Sequence, residues 1–120
     1  MPHPRDQGSQ AEEQALRHLL AQGMKLVERN FHSRRGEIDL VLLDAGTLVF
    51  VEVRSRNNGI FGSAAESVTR AKQLRVIQTA RHFLQVRKEW ANTPCRFDVV
   101  AITGRSNGAI DWIENAFQST

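Results

Sequence analysis

Hydrophobic and polar positions alternate along this chain with two different periods, which predict its helices and strands. From Ser9, a residue type suited to capping a helix, apolar side chains recur at helical spacing as far as Gly23. A second helical stripe extends from about Ser67 to Trp90. Residues 1–7 precede the first stripe and are expected to form a flexible terminus. The pattern therefore predicts two amphipathic helices.

Strand composition occurs in five segments that are separated by turn or helix signals. Val, Ile and Leu are enriched in them, whereas residues 56–63 contain two glycines and two asparagines and are predicted to be a loop. The order is αβββαβ with one additional strand, which predicts a mixed α/β sheet flanked by helices in a single domain of residues 1–120. The predicted strands are Met24–Phe31, Gly36–Asp44, Thr47–Ser55, Cys95–Thr103 and Ile110–Phe117.

The second and third strands form a predicted hairpin whose register places acids together. If Ala45-Gly46 is a two-residue loop, facing residues have numbers that sum to 91, as 45 and 46 do. Asp39 would then face Glu52, and Glu37 would face Arg54. The opposite face is entirely aliphatic and consists of Ile38, Leu40, Leu42, Val49, Val51 and Val53. The hairpin therefore predicts one core face and one face with three carboxylates and a guanidinium.

Facing carboxylates destabilise a sheet unless a cation lies between them. Two kinds of cation are candidates for this position in the hairpin. In one interpretation, a divalent metal ion binds the acids and supports phosphodiester chemistry. In the other, Arg54 neutralises them in a cross-strand ion-pair cluster. Glu12, on the apolar stripe of the first helix, either joins the acids or interacts with the helix dipole. Lys72, on the inner stripe of the second helix, either extends to solvent or reaches the acids and a phosphate.

Charge and composition favour an anionic partner and a reducing compartment. The net charge is +3 and the isoelectric point about 9.8, and Arg70–Lys88 carries six basic residues and no acid. With Arg34, Arg35 and Arg56, these residues would either contact phosphates or form a solvated surface. The single cysteine, Cys95, excludes an internal disulfide. The single cysteine and the lack of a signal peptide favour a cytoplasmic protein, and because no apolar run reaches the length of a membrane span, we expect no membrane contact.

Several short motifs, taken in order, resemble those of a known family. Gly36–Leu40 (Gly-Glu-Ile-Asp-Leu) and Val49–Arg54 (Val-Phe-Val-Glu-Val-Arg) are similar to the paired signature of the YraN-type family. The resemblance covers nearly the whole chain, from Gly8 to Val100. That family is an uncharacterised group of predicted endonucleases related to archaeal Holliday-junction resolvases, within the PD-(D/E)XK superfamily. The resemblance implies a restriction-endonuclease-like αβββαβ core.

The same resemblance implies a set of metal ligands. Asp39 matches the first motif acid, Glu52 the second, and Glu12 the acid that many relatives carry on a helix. These carboxylates would bind Mg²⁺ or Mn²⁺, and the backbone carbonyl of Val53 would be a further ligand.

One position departs from the superfamily pattern. Arg54 stands where a lysine is usual, and arginine keeps the charge but does not readily transfer protons. Arg54 would then stabilise transition-state charge, and Lys72 would supply the missing ammonium group from the neighbouring helix.

Three functions are compatible with these residues. The first is a metal-dependent endonuclease that acts on DNA rather than RNA, on branched or damaged structures, with Arg34, Arg35, Arg56 and Arg70 contacting phosphates. The second is a catalytically inactive nucleic-acid-binding module, which the arginine at position 54 favours. The third is an interaction domain with an ion-pair cluster. The related resolvases are dimers, which leaves a homodimer open for this chain.

Overall fold

The computed structural model describes residues 4–56, 68–104 and 109–119, with no account of the side chains of residues 4–9 and 56. The predicted αβββαβ order with a final additional strand is confirmed, and a short 3-10 helix at Lys88–Trp90 follows the second α-helix. The elements are α1 (Pro4–Ala21), β1 (Lys25–Ser33), β2 (Gly36–Asp44), β3 (Thr47–Arg56), α2 (Arg70–Val86), β4 (Cys95–Thr103) and β5 (Ala109–Phe117).

The first helix begins earlier than the sequence pattern predicts. It starts at Pro4 instead of Ser9, so part of the segment expected to be a flexible terminus is helical. A proline is well tolerated there, because the first N–H groups of a helix have no partner within the helix. Residues 57–63 of the predicted loop 56–63 lie outside the described residues, whereas Arg56 belongs to β3.

The second helix is shorter than predicted at both ends. Thr69 is extended, and its hydroxyl accepts a hydrogen bond of 3.2 Å from the N–H of Lys72, so Thr69 caps the helix. The α-helix ends at Val86, and the N–H of Arg87 closes it by donating to the carbonyl of Phe83 at 2.8 Å. The cap fixes Lys72 in the first turn of α2.

The five strands form one mixed sheet in the order β1-β2-β3-β4-β5. β1, β2 and β3 are antiparallel neighbours, and β5 is antiparallel to β4. β3 and β4 are parallel, which requires a crossover connection, and α2 lies within it. The sheet is therefore of the mixed α/β class that the element order predicts.

Helices cover both faces of this sheet, and each face has its own hydrophobic cluster. On the first face, α1 contributes Ala11, Ala15, Leu16 and Leu19 and packs on Leu40, Leu42, Val49, Val51, Val100 and Ile102. On the second face, α2 contributes Val76, Ile77, Ala80 and Phe83 and packs on Ile38, Val41, Phe50, Val99 and Ala101. β3 is thus buried from both sides, which explains its continuous apolar run.

The hairpin register is confirmed near the turn. Asp44 pairs with Thr47, Val41 with Phe50, and Leu40 with Val51, as the two-residue loop requires. Ala45 and Gly46 have φ values of 48° and 91°, the positive values of a tight hairpin turn. The paired register ends at Leu40–Val51, however, so the predicted facing pairs Asp39–Glu52 and Glu37–Arg54 are not part of the ladder.

The strict alternation predicted for β2 is wrong on the N-terminal side of Asp39. Ile38 packs in the α2-side cluster with Val41, whereas Leu40 packs in the α1-side cluster. In an unbroken strand, residues 38 and 40 would share a face. Asp39 is also absent from the pairing of β2 with β1, as is its neighbour Asn30, whose φ is 53°. The pleat is therefore interrupted at Asp39.

Candidate carboxylate site

Asp39 occupies the interruption in β2, and its side chain takes over part of the backbone hydrogen bonding. Its Oδ2 accepts a hydrogen bond of 2.8 Å from the N–H of Val53 on β3. A carboxylate that replaces a ladder acceptor in this way is held at one fixed position between the two strands. The bond brings Asp39 beside the segment that carries Glu52 and Arg54.

Glu52 is the most deeply buried carboxylate of the site, with 4% of its surface exposed. Lys72 of α2 forms an ion pair with it, with 3.3 Å between Nζ and Glu52 Oε1. The other oxygen, Oε2, is buried and has no hydrogen-bond partner among the described residues. Such an atom is costly, because buried polar groups lose their hydration without compensation. The geometry therefore leaves one carboxylate oxygen available to a ligand.

Glu12 arrives from α1 and is linked to the end of β2 by an asparagine. When the Asn30 amide is oriented so that its oxygen and nitrogen are both satisfied, its nitrogen donates to Glu12 Oε1 at 2.9 Å and to Glu37 Oε1 at 3.0 Å. Asn30 thus bridges two carboxylates whose charges repel each other. Glu12 and Glu37 therefore lie together on the α1 side of the site.

Burial and mutual repulsion disfavour the charged forms of these acids. The pKa of Glu52 rises from its ordinary 4.5 to about 7, first because of burial and then because of the charge of Asp39, against the lowering effect of Lys72. The pKa of Glu12 also rises to about 7, through burial and the charges of Asp39 and Glu37. Burial raises the pKa of Asp39 as well, opposed by the hydrogen bond from Val53. The cluster carries more negative charge than its surroundings compensate.

Arg54 lies close enough to influence both motif acids but is not fully bonded. Its charge lowers the pKa of Asp39 and of Glu52, yet in each case by less than burial raises it. Its buried Nε has no hydrogen-bond partner among the described residues. The observed ion pair of Glu52 is with Lys72, from a helix rather than from the same strand. A cross-strand cluster neutralised by Arg54 therefore describes this site incompletely.

The carboxylates do not form a complete metal cage by themselves. Within the described parts of the chain, no group of three or more His, Cys, Asp or Glu side chains is arranged to hold a metal ion. Glu12, Asp39 and Glu52 influence one another electrostatically without converging as three ligands. This matters for the choice of ion, because Mg²⁺ is often bound by one or two carboxylates and retains several waters. The free Oε2 of Glu52 and the negative surplus fit that mode of binding.

The four arginines predicted to contact phosphates lie in different environments. Arg34 and Arg35 are exposed in the turn between β1 and β2. Arg70, the first residue of α2, is exposed and donates to Gln73 Oε1 at 3.0 Å. Arg56 ends β3, and its side chain lies outside the described residues. Arg70 is two positions before Lys72 in α2, and Arg34 and Arg35 directly precede Gly36, the first residue of β2.

Sequence reasoning missed Asn30 as a member of the site. The residue lies in β1, within the span of the family resemblance but outside its two quoted motifs. The sequence did carry a signal for this role, because asparagine is one of the few residues other than glycine that readily adopt a positive φ. An asparagine inside a strand and opposite a predicted catalytic acid points to a local break in the pleat.

The fold and the site define a class of protein: a mixed α/β domain with a buried carboxylate cluster where the second and third strands separate. None of the helices in the described ranges is both long and apolar enough to cross a membrane.

The chain belongs to the Uncharacterised protein family UPF0102, whose sequence model matches residues 11–102. This confirms the resemblance to the YraN-type group. A UPF0102 protein of Saccharophagus degradans is 54% identical over 110 residues, which are 92% of this chain and 91% of that protein. A UPF0102 protein of Stutzerimonas stutzeri is 49% identical over 120 residues, covering 99% of this chain and 100% of the other.

Among solved structures, this chain is similar to SfsA of Pyrococcus furiosus, which was determined in complex with Ca²⁺. The TM-score is 0.41 and the identity 14%, and the match covers 92% of this chain but only 63% of that one. The family assignment therefore comes from sequence, and the architecture from the strands and helices described above.

Proposed function

We propose that this protein is a divalent-metal-dependent endonuclease that acts on DNA. The observation that supports this function best is the buried, unpartnered Oε2 of Glu52 beside Asp39, with the pKa of both carboxyls raised by burial. A bound divalent cation would satisfy the free oxygen and compensate the negative surplus at once. Sites with strongly perturbed carboxyl pKa values are candidates for chemistry because folding alone does not favour them.

In this proposal, Asp39 and Glu52 hold Mg²⁺ or Mn²⁺, and Glu12 and the carbonyl of Val53 are further oxygen donors. The N–H of Val53 fixes the carboxylate of Asp39, so that the orientation of this ligand is set by the backbone. When bound, the ion supplies Lewis-acid stabilisation of a phosphodiester and activates a water molecule. The amide nitrogen of Asn30 donates to both Glu12 and Glu37 and so holds Glu12 beside the end of β2.

In this proposal, Lys72 and Arg54 stabilise the negative charge of the scissile phosphate. Lys72 already lies 3.3 Å from Glu52, and an ammonium group has three donors, so two remain for phosphate oxygens. Arg54 contributes a second positive charge from the adjacent strand. Lys72 thereby takes the place of the lysine that the superfamily usually carries at position 54.

The basic residues outside the cluster favour a nucleic-acid substrate. Arg34, Arg35, Arg56 and Arg70 would contact phosphates without reading sequence, which suits a structure-directed enzyme. We propose DNA over RNA, with branched or damaged DNA as the substrate class, and action in the cytoplasm.

A cleavage assay tests this function directly. Wild-type protein is expected to cut supercoiled and branched DNA only when Mg²⁺ or Mn²⁺ is present, and the assay includes matched RNA. Asp39→Asn and Glu52→Gln are expected to lower the rate at least about 100-fold, because each removes a ligand charge at the reacting phosphate. Glu114→Gln, which neutralises an exposed acid on β5, is the matched control. Undiminished cutting by both site variants would refute the proposal.

The second candidate is a nucleic-acid-binding module without catalysis. Two observations favour it: arginine stands at the usual lysine position, and no three-ligand metal group is formed within the described residues. This module would bind DNA in a salt-dependent manner and show no metal-dependent cutting by the wild type. The same assay, combined with a binding titration in EDTA, separates the two functions.

A further inference from the structure

A basic groove lies on the α2 side of the molecule, away from the carboxylate cluster. Its volume is about 610 Å³, and it lies between α2 and the turn that joins β1 to β2. The turn contributes Ser33, Arg34 and Arg35, and α2 contributes Gln78, Arg81 and Gln85, together with His82. We refer to this set as the basic groove.

Contacts between the turn and the helix hold the groove in a defined shape. Arg35 Nη1 donates to Gln78 Oε1 at 3.2 Å, and Ser33 Oγ donates to Thr79 Oγ1 at 3.4 Å. The turn packs closely on α2, since a Cβ at Gly36 would already be in van der Waals contact with Thr79 Oγ1, at 3.4 Å. The arginines are therefore presented from two elements that are packed together, which reduces the ordering needed when a ligand binds.

The chemistry of the groove fits a phosphate backbone. Its lining contains three arginines and a histidine and no acid, although the whole chain contains 13 acidic residues. Proteins that bind single strands usually add exposed aromatic rings on which bases stack. Among the described residues, the lining contains no Phe, Tyr or Trp, and its one ring is the exposed His82, whose centroid lies 6.0 Å from that of buried Phe31. The groove thus offers charge and hydrogen-bond donors with a single imidazole ring, and not the row of rings on which successive bases would stack.

The groove and Lys72 lie at different positions along the same helix. At a rise of 1.5 Å per residue, Gln78 and Gln85 lie roughly 9 Å and 20 Å along α2 from Lys72. Successive phosphates of one strand are spaced about 3.4 Å along the axis of B-DNA. Along the helix axis this separation corresponds to roughly three to six such steps, and the helical period of about 3.6 residues places the groove residues on a different face of α2 from Lys72.

We propose that the basic groove binds the phosphate backbone of the double-stranded flank of the substrate, outside the carboxylate cluster and independently of metal. This inference deepens the proposed function and rests on it for the identity of the substrate as DNA. It predicts that duplex affinity depends on Arg34 and Arg81 even when no cleavage occurs.

The experiment measures binding of a 20-base-pair DNA duplex, and of one of its strands alone, in EDTA over a series of salt concentrations. The test variant is Arg34→Gln/Arg81→Gln. The control variant, Arg17→Gln/Lys25→Gln, removes the same charge from exposed positions on α1 and at the far end of β1. The test variant should bind the duplex about tenfold more weakly or worse. Its log–log salt slope should be shallower by roughly 1.8, or about 0.9 for each lost phosphate contact.

Each outcome bears on the proposal. Equal affinities and slopes for the test and control variants would overturn it, as would an equal loss of affinity for duplex and single strand. If inorganic phosphate at millimolar concentration binds the wild type but not the test variant, while the duplex binds both equally, the groove is a free-phosphate site and the duplex assignment is wrong. A shallower slope in EDTA together with no wild-type cleavage would retain the groove and refute the nuclease function.

Discussion

At the scale of single residues, Lys72 and Arg54 decide what chemistry the carboxylate cluster can support. Both charges lower the pKa of Glu52, but only Lys72 forms an ion pair with it among the described residues. An ammonium group on a flexible stem can donate to a phosphate and exchange protons, whereas guanidinium remains protonated. The two residues therefore have separate roles, and variants that change one or both of them distinguish these roles.

Lys72→Ala is expected to lower metal-dependent cleavage by about 100-fold or more, the usual contribution of a charged group acting on the transition state. Arg54→Lys should restore part of that rate in the Lys72→Ala background, because it returns an ammonium group to the usual position on the strand. In the wild-type background, the same change should alter the rate little. Single-turnover cleavage and DNA affinity, measured for all four proteins, separate catalysis from binding. Full activity of Lys72→Ala would show that this lysine only balances the charge of Glu52.

At the scale of secondary-structure elements, the sequence predicted most of the fold. Periodicity located the strands to within a few residues and fixed the hairpin register, because Ala45-Gly46 allows a two-residue turn. It did not predict that the side chains of β2 change from one face of the sheet to the other at Asp39. A period-two argument assumes an unbroken pleat, and the break depends on two tertiary features, the positive φ of Asn30 and the bond from Val53 to Asp39.

The sequence predicted which residues cluster at the candidate site, but it did not predict the geometry of the cluster. Asp39, Glu52, Glu12 and Lys72 all lie in one electrostatically connected cluster, as their mutual pKa effects show. The predicted direct opposition of carboxylates across the ladder was wrong, because the pairing ends before them. Which of two cations neutralises an acid depends on where a helix packs, and the sequence pattern of the hairpin carries no such information.

Substitutions of Asn30 test why the pairing of β1 with β2 is interrupted at Asp39. Asn30→Gly should fold with stability closer to that of the wild type than Asn30→Ala, because alanine at a φ of 53° is strained by about 1 kcal/mol relative to glycine. Both variants lack the amide between Glu12 and Glu37, so both should bind Mn²⁺ more weakly. Urea unfolding and Mn²⁺ titration measure the two effects.

Asn115→Ala is the matched control for this test, since Asn115 has a φ of 52° and lies exposed on β5. It should lose stability for the same backbone reason while its Mn²⁺ affinity remains that of the wild type. If Asn30→Gly and Asn30→Ala bound Mn²⁺ as the wild type does, the amide would have no part in positioning the acids.

At the scale of the whole molecule, the site joins the two layers that cover the sheet. α1 supplies Glu12 from one face and α2 supplies Lys72 from the other, while Asp39 and Glu52 come from the strands between them. A ligand bound among these groups would contact elements from both hydrophobic clusters. Occupation of the site should therefore alter the free energy of unfolding of the domain as a whole.

The pH dependence of stability tests this coupling. The pKa of Glu52 is about 7 in the folded protein and near its ordinary 4.5 when unfolded, so folding favours the protonated form. Without metal, the free energy of unfolding should fall between about pH 4.5 and pH 7, by on the order of 3 kcal/mol from Glu52. Mn²⁺ needs ionised carboxylates and competes with protons, so its stabilising effect should be larger at pH 8 than at pH 5. Saturation at 100 times the dissociation constant would contribute about 2.7 kcal/mol.

Glu52→Gln isolates the contribution of this side chain, because it keeps the shape and removes the titration. Its metal-free stability should vary less with pH than that of the wild type, and Mn²⁺ should stabilise it little at either pH. Urea unfolding at pH 5 and pH 8, in EDTA and in Mn²⁺, measures all four conditions, with Glu114→Gln as the exposed control. If Glu52→Gln and the wild type showed the same pH dependence, Glu52 would be ionised in the folded protein without any metal. Lys72 and Arg54 would then compensate its charge fully, and a divalent ion would not be needed to explain the buried carboxylate.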